Sequence, residues 1–337
     1  MSNYINKEEK QVLDIFQELL NKYDSQGVHE ARDGHTRVSL FGRQCRFDLS
    51  KSFPLFTHRQ HFMRGVFEEV MWYIRGQTDN QILKDKGFHV WDLWEGVIDP
   101  DKPTELGTIY GAMFRRFGET PERKGFDQIN WLLNEIKTNP SSSRLILSNW
   151  DPVVSCNTPK EAVLPCCLTL LQFHVEEMSD KERVAQATKE YGHDRLIDLY
   201  AEHVKSIVNY KALNPKDIQD LLDSLNYPRA KLSCILHQRS SDCSVSSGWN
   251  CAQFALLTAL IAQQCDLSLG EFIWNTGNIH LYGDQIDDVR EMVKRPTHPF
   301  PQIKINKAKD LYSYEWSDIE IINYQHSGKM ENLKVAT

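Results

Sequence analysis

The sequence lacks the long apolar run that a membrane-spanning helix requires. No stretch approaches the roughly 20 apolar residues that cross a bilayer, and residues 1–10 are polar, without a signal-peptide hydrophobic core. An excess of basic charge is also missing, since the 337 residues carry a formal net charge of −7. A nucleic-acid duplex is therefore not expected as a partner. These absences predict a cytoplasmic protein that binds neither membranes nor nucleic acids.

Cysteine pairs with CxxC spacing are absent as well. The eight cysteines, at positions 45, 156, 166, 167, 234, 243, 251 and 265, show no regular spacing. This pattern argues against a disulfide framework and against a zinc site. We therefore expect reduced thiols, one of them reactive, and no bound metal.

Apolar periodicity predicts helices and strands around one large core. Helical stripes cover residues 8–23, 64–74, 126–138 and 251–265. Strand patterns cover 38–42 and 45–49, which we expect to pair with each other, and 145–150, 168–175, 232–242, 272–282 and 302–305. The composition, with 41% hydrophobic and 25% charged residues, is typical of a globular protein. The pattern predicts an α+β fold in which helices surround a mostly buried mixed sheet.

One segment departs from this pattern. Between about residues 176 and 231 the composition becomes charged and helix-forming, with apolar stripes that include Val204, Ile207 and Val208. Because strand signals resume at Leu232, we predict a helical insertion within a single domain that spans residues 1–337. By default we expect the insertion to be a solvent-exposed structural addition without a specific function. Covering a cleft, extending an interface or binding a protein are alternatives.

Several residues have two interpretations on pattern alone. Cys166 follows Pro165 at the edge of a strand, and a proline fixes the backbone there. The thiol could be aimed into a cleft or be a small core residue. The basic turn 32–37 could be a solvated loop or a flexible anion clamp. Glu69 borders an apolar helical face. It could lie at the exposed rim of that face, or it could be a half-buried acid whose pKa is raised.

Ordered motifs along the chain resemble the thymidylate synthase superfamily, which includes bacteriophage deoxypyrimidine-monophosphate hydroxymethylases. The matches run in family order from about Arg32 to the C-terminus and miss only the insertion. The matching stretches are Phe53-Pro54-Leu55, Arg64-Gly65-x-x-x-Glu69-x-x-Trp72, Val90-Trp91-Asp92-x-Trp94, Leu106-Gly107-x-x-Tyr110-Gly111, Ser143-Arg144, Leu164-Pro165-Cys166, Gln172-Phe173, Gln238-Arg239-Ser240-x-Asp242, Asn250 and His280-Leu281-Tyr282. The resemblance implies a thymidylate synthase-like fold and a homodimer whose sheets pack back to back.

The resemblance implies that Cys166 is the nucleophile. A thiolate that adds at C6 of uracil turns C5 into an enolate carbon, which can attack the methylene of 5,10-methylenetetrahydrofolate. A nearby cation lowers a thiol pKa, and Arg239 is the expected cation. Glu69 matches the acid that positions water and relays protons. Tyr110 and Asp242 complete the implied catalytic set.

The resemblance also assigns the substrate contacts. Arg32, Arg239 and Ser240 would hold the phosphate, together with Arg144 from the other subunit of an isologous homodimer. His280 and Tyr282 resemble the pair that binds the sugar hydroxyl. Asn250 matches a base-reading asparagine. A carboxamide complements N3–H and O4 of uracil, whereas cytosine-specific members carry aspartate, so dUMP is expected over dCMP.

The implied folate site combines aromatic and polar residues. The residues that match folate-site positions are Trp91, Trp94, Trp249, Arg59 and Asp242. On pattern alone, Trp91 and Trp94 could instead form a packed corner.

Departures from the family pattern bear on the last chemical step. Cys167 stands where synthases usually have histidine, and Ser143 replaces one of two phosphate arginines. A polar Ser246-Ser247 pair opens the turn that precedes Asn250. In the superfamily, a hydride from the folate gives dTMP and dihydrofolate, whereas water gives 5-hydroxymethyl-dUMP and tetrahydrofolate.

These departures favour a dUMP hydroxymethylase most like the phage enzymes, which would act in the host cytoplasm if phage-encoded. A thymidylate synthase is the alternative. A dCMP hydroxymethylase is less favoured because Asn250 complements uracil. A non-catalytic nucleotide- or RNA-binding homologue is less favoured because the implied catalytic residues are all present.

Overall fold

A computed structural model describes residues 5–30, 34–158, 160–203 and 215–330. Its helices are α1 (Lys7–Gln26), α2 (Met63–Ile74), α3 (Gln81–Lys84), α4 (Tyr110–Arg116), α5 (Gln128–Thr138), α6 (Pro152–Ser155), α7 (Asp180–Tyr191), α8 (His193–His203), α9 (Pro215–Ser224), α10 (Ser246–Gln264) and α11 (Ile286–Met292). Its strands are β1 (His29–Glu30), β2 (Thr36–Asp48), β3 (Ile146–Ser148), β4 (Leu168–Glu177), β5 (Ala230–Asp242), β6 (Ser268–Tyr282), β7 (Gln302–Ile305) and β8 (Ile319–Ile322). Short 3-10 turns cover Asp92–Trp94, Gly283–Gln285 and Trp316–Asp318.

A six-stranded sheet organises the fold, in the order β1-β2-β6-β5-β4-β3. β5 and β6 pair in parallel, whereas the other neighbours pair antiparallel. β7 and β8 form a separate two-stranded sheet. The predicted α+β class with a large mixed sheet is confirmed, and the back-to-back dimer stays a prediction.

The long helix α10 connects the two parallel strands and lies in the core. Apolar residues surround it on all sides, and its side chains from Cys251 to Ala262 are buried. It packs against β5, β6 and α2. Such an all-round apolar helix is stable only inside the protein. Its N-terminal turn therefore lies beside the carboxyl end of β5 and beside α2, which carries Glu69.

The helices between β4 and β5 have an apolar cluster of their own. It consists of Ala187, Leu196, Leu221, Leu222 and Tyr227, apart from the main core. The predicted stripe at Val204, Ile207 and Val208 lies outside the described residues. Among the residues that the structure describes, no helix is both long and apolar enough to cross a bilayer.

A buried arginine joins the parts of this helical unit. Arg183 on α7 is 2% exposed and donates to the carbonyl oxygens of Pro228 and Tyr227, at 3.1 and 2.7 Å. It also donates to Gln219 Oε1 and to Asp223 Oδ1, each at 2.8 Å. A buried charge is stable only with such partners. The guanidinium therefore connects α7 to α9 and to the entry of β5.

We expect Arg183→Met to destabilise the unit by about 2–4 kcal/mol, because buried acceptors lose their donor. Amide hydrogen exchange should show this loss in α7 and α9, with β5 and β6 unchanged. The matched control is Arg195→Met, since Arg195 is exposed on α8. Equal exchange rates in the two variants would contradict a structural role for Arg183.

Candidate active site

The loop that carries Cys166 is held from two sides. The hydroxyl of Tyr110, on α4, accepts the backbone N–H of Cys167 at 2.9 Å. Arg239, on β5, donates through Nε to the carbonyl oxygen of Cys166 at 3.0 Å and through Nη2 to that of Pro165 at 2.7 Å. The backbone N–H of Arg239 donates to the carbonyl of Cys167 at 2.8 Å. The structure thus brings Cys166, Tyr110 and Arg239 together.

The Cys166 thiol is not activated in this arrangement. Its side chain is 1% exposed, and burial is the main cause that raises its pKa. The neighbouring Cys167 raises the pKa further, whereas the positive charge of Arg239 lowers it. Arg239 therefore acts in the expected direction, but the expectation of a lowered thiol pKa is wrong for this state. The reason is desolvation, which outweighs the cation.

A cavity of about 820 Å³ lies beside this loop. It is lined by Arg37, Trp150, Ser155, Cys156, Thr158, Pro165, Arg239, Ser240, Asn278 and Tyr282. The structure therefore places the predicted Arg239, Ser240 and Tyr282 around one cavity. The guanidinium of Arg239 lies over the ring of Trp150 at 5.6 Å from its centroid, a cation–π contact.

Six lining residues were not predicted from the sequence, among them Asn278 on β6. Arg37 belongs to the basic turn, where only Arg32 had been singled out. Four more follow β3: Trp150, at the end of a predicted strand pattern, and Ser155, Cys156 and Thr158, in a stretch without periodic signal. Their position in the cavity depends on the path of that segment, which no local pattern predicts.

The parallel pairing of β5 and β6 brings the remaining polar residues to one edge. Ser240 is the register partner of Asn278, and Asp242 that of His280. The Oδ1 atom of Asn278 lies 3.0 Å from Nδ1 of His280. The His280 ring stands edge-on to Tyr282, with centroids 5.1 Å apart. His280 and Tyr282 are thus neighbours, as the motif predicts.

Glu69 is buried among four donors rather than placed at a rim. Its Oε1 accepts the hydroxyl of Tyr73 and the indole N–H of Trp91, each at 2.8 Å. Its Oε2 accepts the indole N–H of Trp249 at 2.5 Å and the amide of Gln253 at 2.9 Å. Burial raises the pKa of Glu69, and the four hydrogen bonds offset part of that rise. The acid is therefore held in place by neutral groups alone.

Aromatic rings connect this acid to the thiol loop. The ring of Tyr73 lies 4.8 Å from that of Tyr110, and the ring of Trp91 lies 6.3 Å from it, between centroids. Tyr110 in turn holds the loop through Cys167. Glu69 and the loop therefore border one aromatic layer.

Two predicted folate residues fix a turn instead of facing open space. Asp242 accepts from the backbone N–H of Ser244 at 3.0 Å through Oδ1, and from Gln285 at 2.8 Å through Oδ2. Arg59 donates to the carbonyl oxygens of Ser244 and Val245, each at 3.1 Å. Burial lowers the pKa of Arg59 to about 10, so the guanidinium keeps its charge at neutral pH. Both residues hold the turn that leads into α10.

The two tryptophans of the predicted pair differ in exposure. Trp91 is buried and uses its N–H on Glu69, whereas Trp94 is half-buried. Their neighbours Val90 and Leu93 are 44% and 56% exposed. Apolar side chains next to Trp94 are therefore exposed, whereas Trp91 packs inside the protein.

Predicted substrate residues outside the cavity lining include Asn250 and Arg144. Asn250 is half-buried in the first turn of α10, and its carboxamide makes no hydrogen bond within the described ranges. Arg144 is exposed just before β3. Arg32 lies outside the described residues. The described residues also contain no cluster of His, Cys, Asp and Glu that could hold a metal ion.

Trp249 makes the pKa of Glu69 testable. We expect Trp249→Phe to raise the pKa of Glu69 further, because it removes a donor that favours the carboxylate. The protonation midpoint in a ¹³C NMR titration of labelled glutamate should therefore move to higher pH. Trp131→Phe, in a half-buried indole on α5, is the control. An unmoved midpoint in Trp249→Phe would contradict this account of the acid.

Comparison with known proteins agrees with the motifs. A family model described as thymidylate synthase matches residues 10–336. The chain is 30% identical over 345 residues to the bifunctional dihydrofolate reductase-thymidylate synthase of Paramecium tetraurelia, which covers 98% of this chain and 62% of that relative. It is 31% identical over 339 residues to a putative bifunctional dihydrofolate reductase-thymidylate synthase of Oryza sativa subsp. japonica, which covers 96% of this chain and 57% of that relative.

The chain thus spans about 60% of the length of these curated relatives. Neither relative is named as a hydroxymethylase or as a phage protein, so that subtype stays a prediction. The match to the family model covers nearly the whole chain, and the mixed sheet with surrounding helices is the architecture expected of it. The chain belongs to the thymidylate synthase family and has the thymidylate synthase fold.

Proposed function

We propose that this chain transfers a one-carbon unit from 5,10-methylenetetrahydrofolate to C5 of dUMP and releases dTMP, as a thymidylate synthase. The observation that carries the proposal is the position of Cys166. Its loop is held between Tyr110 and Arg239, and the adjoining Pro165 lines the cavity shared by Arg239 and Ser240. The family match and the names of both relatives support the same reaction.

Cys166 would supply the nucleophile for the pyrimidine. Its sulfur adds to C6, a C–S bond forms, and the electron pair of the C5–C6 double bond moves to C5 and O4. Because burial raises the thiol pKa, the sulfur must pass its proton to water in the adjoining cavity before it attacks. Arg239 stabilises the negative charge that develops on the sulfur. The Nη2 atom of Arg239 lies 3.5 Å from Sγ of Cys167, the residue that follows the nucleophile.

Glu69 would move the protons that the ring must gain and lose. A carboxyl group whose pKa is raised by burial exchanges protons closer to neutral pH than an exposed one. Trp91, whose indole N–H donates to the same carboxylate, borders the surface proposed for the folate. When bound, the folate supplies the one-carbon unit and, in the synthase reaction, the hydride. The apolar surface of Val90, Leu93 and Trp94 would hold its aromatic part.

A hydroxymethylase is the second candidate, because one observation favours water at the site. The hydroxyl of Ser247, next to Gly248 and Trp249, is buried and has no hydrogen-bond partner among the described residues. A water molecule would satisfy that hydroxyl. Water held near the exocyclic methylene could then replace the hydride, and the product would be 5-hydroxymethyl-dUMP.

The homodimer is part of the proposal. Phe41 on β2 is 83% exposed on the sheet, a position that a second copy would cover. Arg144 is exposed beside β3 at the edge of the sheet. An isologous dimer would let each Arg144 reach the phosphate bound by the partner subunit.

Product analysis separates the two candidate reactions. We expect incubation with dUMP and 5,10-methylenetetrahydrofolate to add a methyl group to the nucleotide, as seen by mass spectrometry, with dihydrofolate absorbance. Addition of a hydroxymethyl group without that absorbance would establish the second candidate.

Cys166→Ala should lower kcat by at least about 10⁴-fold, whereas Cys265→Ala, at the end of α10, should stay active. Full turnover by Cys166→Ala would refute both reactions.

Asn250 provides a test of base selection. We expect Asn250→Asp to lower the ratio of kcat/KM for dUMP over dCMP by at least about 100-fold, because a protonated carboxyl complements cytosine and a carboxamide complements uracil. Steady-state kinetics with both nucleotides measure this ratio. Asn21→Asp, on the exposed face of α1, is the control. A wild-type preference for dCMP would contradict the assignment to dUMP.

A further inference from the structure

Most donors of Arg239 are already used within the protein. Its Nε and Nη2 atoms point to the carbonyl oxygens of Cys166 and Pro165 and to the sulfur of Cys167. A guanidinium has five N–H donors, so the two on Nη1 are left for a ligand. A phosphate dianion has three terminal oxygens and needs more donors and more positive charge than Nη1 provides.

The usual source of additional charge is reduced in this chain. Ser143 replaces one of the two arginines expected from the partner subunit, and only Arg144 is present at that motif. A hydroxyl supplies one donor and no charge. The phosphate site therefore lacks one cation compared with the family pattern.

Arg37 lies where a replacement cation is required. It is on β2, where it is the register partner of Tyr282, and both residues line the cavity with Arg239. Its side chain is half-buried. Within the part of the chain that the structure describes, the guanidinium makes no ion pair and no hydrogen bond. Its N–H donors are therefore available to an anion in the cavity.

A buried hydroxyl lines the same cavity. Ser155, at the end of α6, is 7% exposed, and its Oγ has no hydrogen-bond partner among the described residues. Thr158 adds a second hydroxyl to the lining, and Ser240 a third. These groups donate to an anion without adding charge. Together with Arg37 and Arg239 they form a site with two cations and several hydroxyls, which is suited to a phosphomonoester dianion.

We infer that Arg37 and Ser155 bind the nucleotide phosphate within the same subunit, and that Arg37 replaces the cation lost at position 143. The inference rests on the proposed function, because it names dUMP as the ligand. It extends that function by assigning two phosphate contacts outside the recognised motifs. Arg37 then adds a cation from the same subunit to Arg239 and to the expected Arg32, and dependence on the partner's Arg144 is reduced.

Calorimetric titration with dUMP and with deoxyuridine, which lacks the phosphate, tests this inference. We expect Arg37→Met to weaken dUMP binding by about 10- to 100-fold, as for the loss of a charge-assisted hydrogen bond. Deoxyuridine binding should change less than about twofold, since it has no phosphate to lose. Arg37→Lys should regain part of the lost dUMP affinity, because lysine restores the positive charge but not the planar set of guanidinium N–H donors.

Further variants separate binding from structure. Ser155→Ala should weaken dUMP binding by about 3- to 10-fold and leave deoxyuridine binding unchanged. In turnover assays, Arg37→Met should raise KM for dUMP, with little change in kcat or in KM for the folate. Arg195→Met removes an exposed arginine from α8 and is the control for net charge.

The outcomes are distinct. Equal losses for dUMP and deoxyuridine in Arg37→Met would show a structural role and overturn the inference, while the proposed function stands. Unchanged dUMP binding in Arg37→Met would overturn it as well. A wild-type protein that binds no dUMP and forms no product would refute the proposed function and the inference with it.

Discussion

The parallel pairing of β5 with β6 is the constraint on which the active-site end of the molecule depends. Parallel neighbours cannot be joined by a tight turn, so the chain must cross over, and α10 is that crossover. Because α10 passes through the core, apolar residues occur on every side of it. The same pairing aligns the carboxyl ends of both strands. Ser240 and Tyr282 therefore line one cavity, although they lie 42 positions apart in the sequence.

Much of the fold was predictable because local patterns report local structure. The apolar stripes predicted α1, α2, α5 and α10, and ordered motifs predicted that Arg239, Ser240 and Tyr282 share a site. The state of the Cys166 thiol was not predictable in this way. Whether Arg239 or burial determines a thiol pKa depends on the solvent exposure of Sγ, which follows from tertiary packing. The cavity residues after β3 were missed for the same reason.

The carboxylate of Glu69 illustrates how a buried acid can be held without being locked in one protonation state. Its four partners, Tyr73, Trp91, Trp249 and Gln253, are all neutral. A buried cation at the same distance would favour the ionised form strongly. Neutral donors orient both oxygens and still leave the pKa raised. Orientation and proton exchange are therefore compatible at this position, which a relay of protons requires.

The helical unit between β4 and β5 has a consequence for how the chain tolerates change. β4 and β5 are antiparallel neighbours, and Glu177 at the end of one is the register partner of Ala230 at the start of the other. The unit thus leaves and re-enters the sheet at adjacent positions, and its cluster around Leu221 and Leu222 is separate from the main core. A short hairpin turn could join the same two strands. Lengthening, exchange or removal of the unit would therefore leave the order of the sheet unchanged.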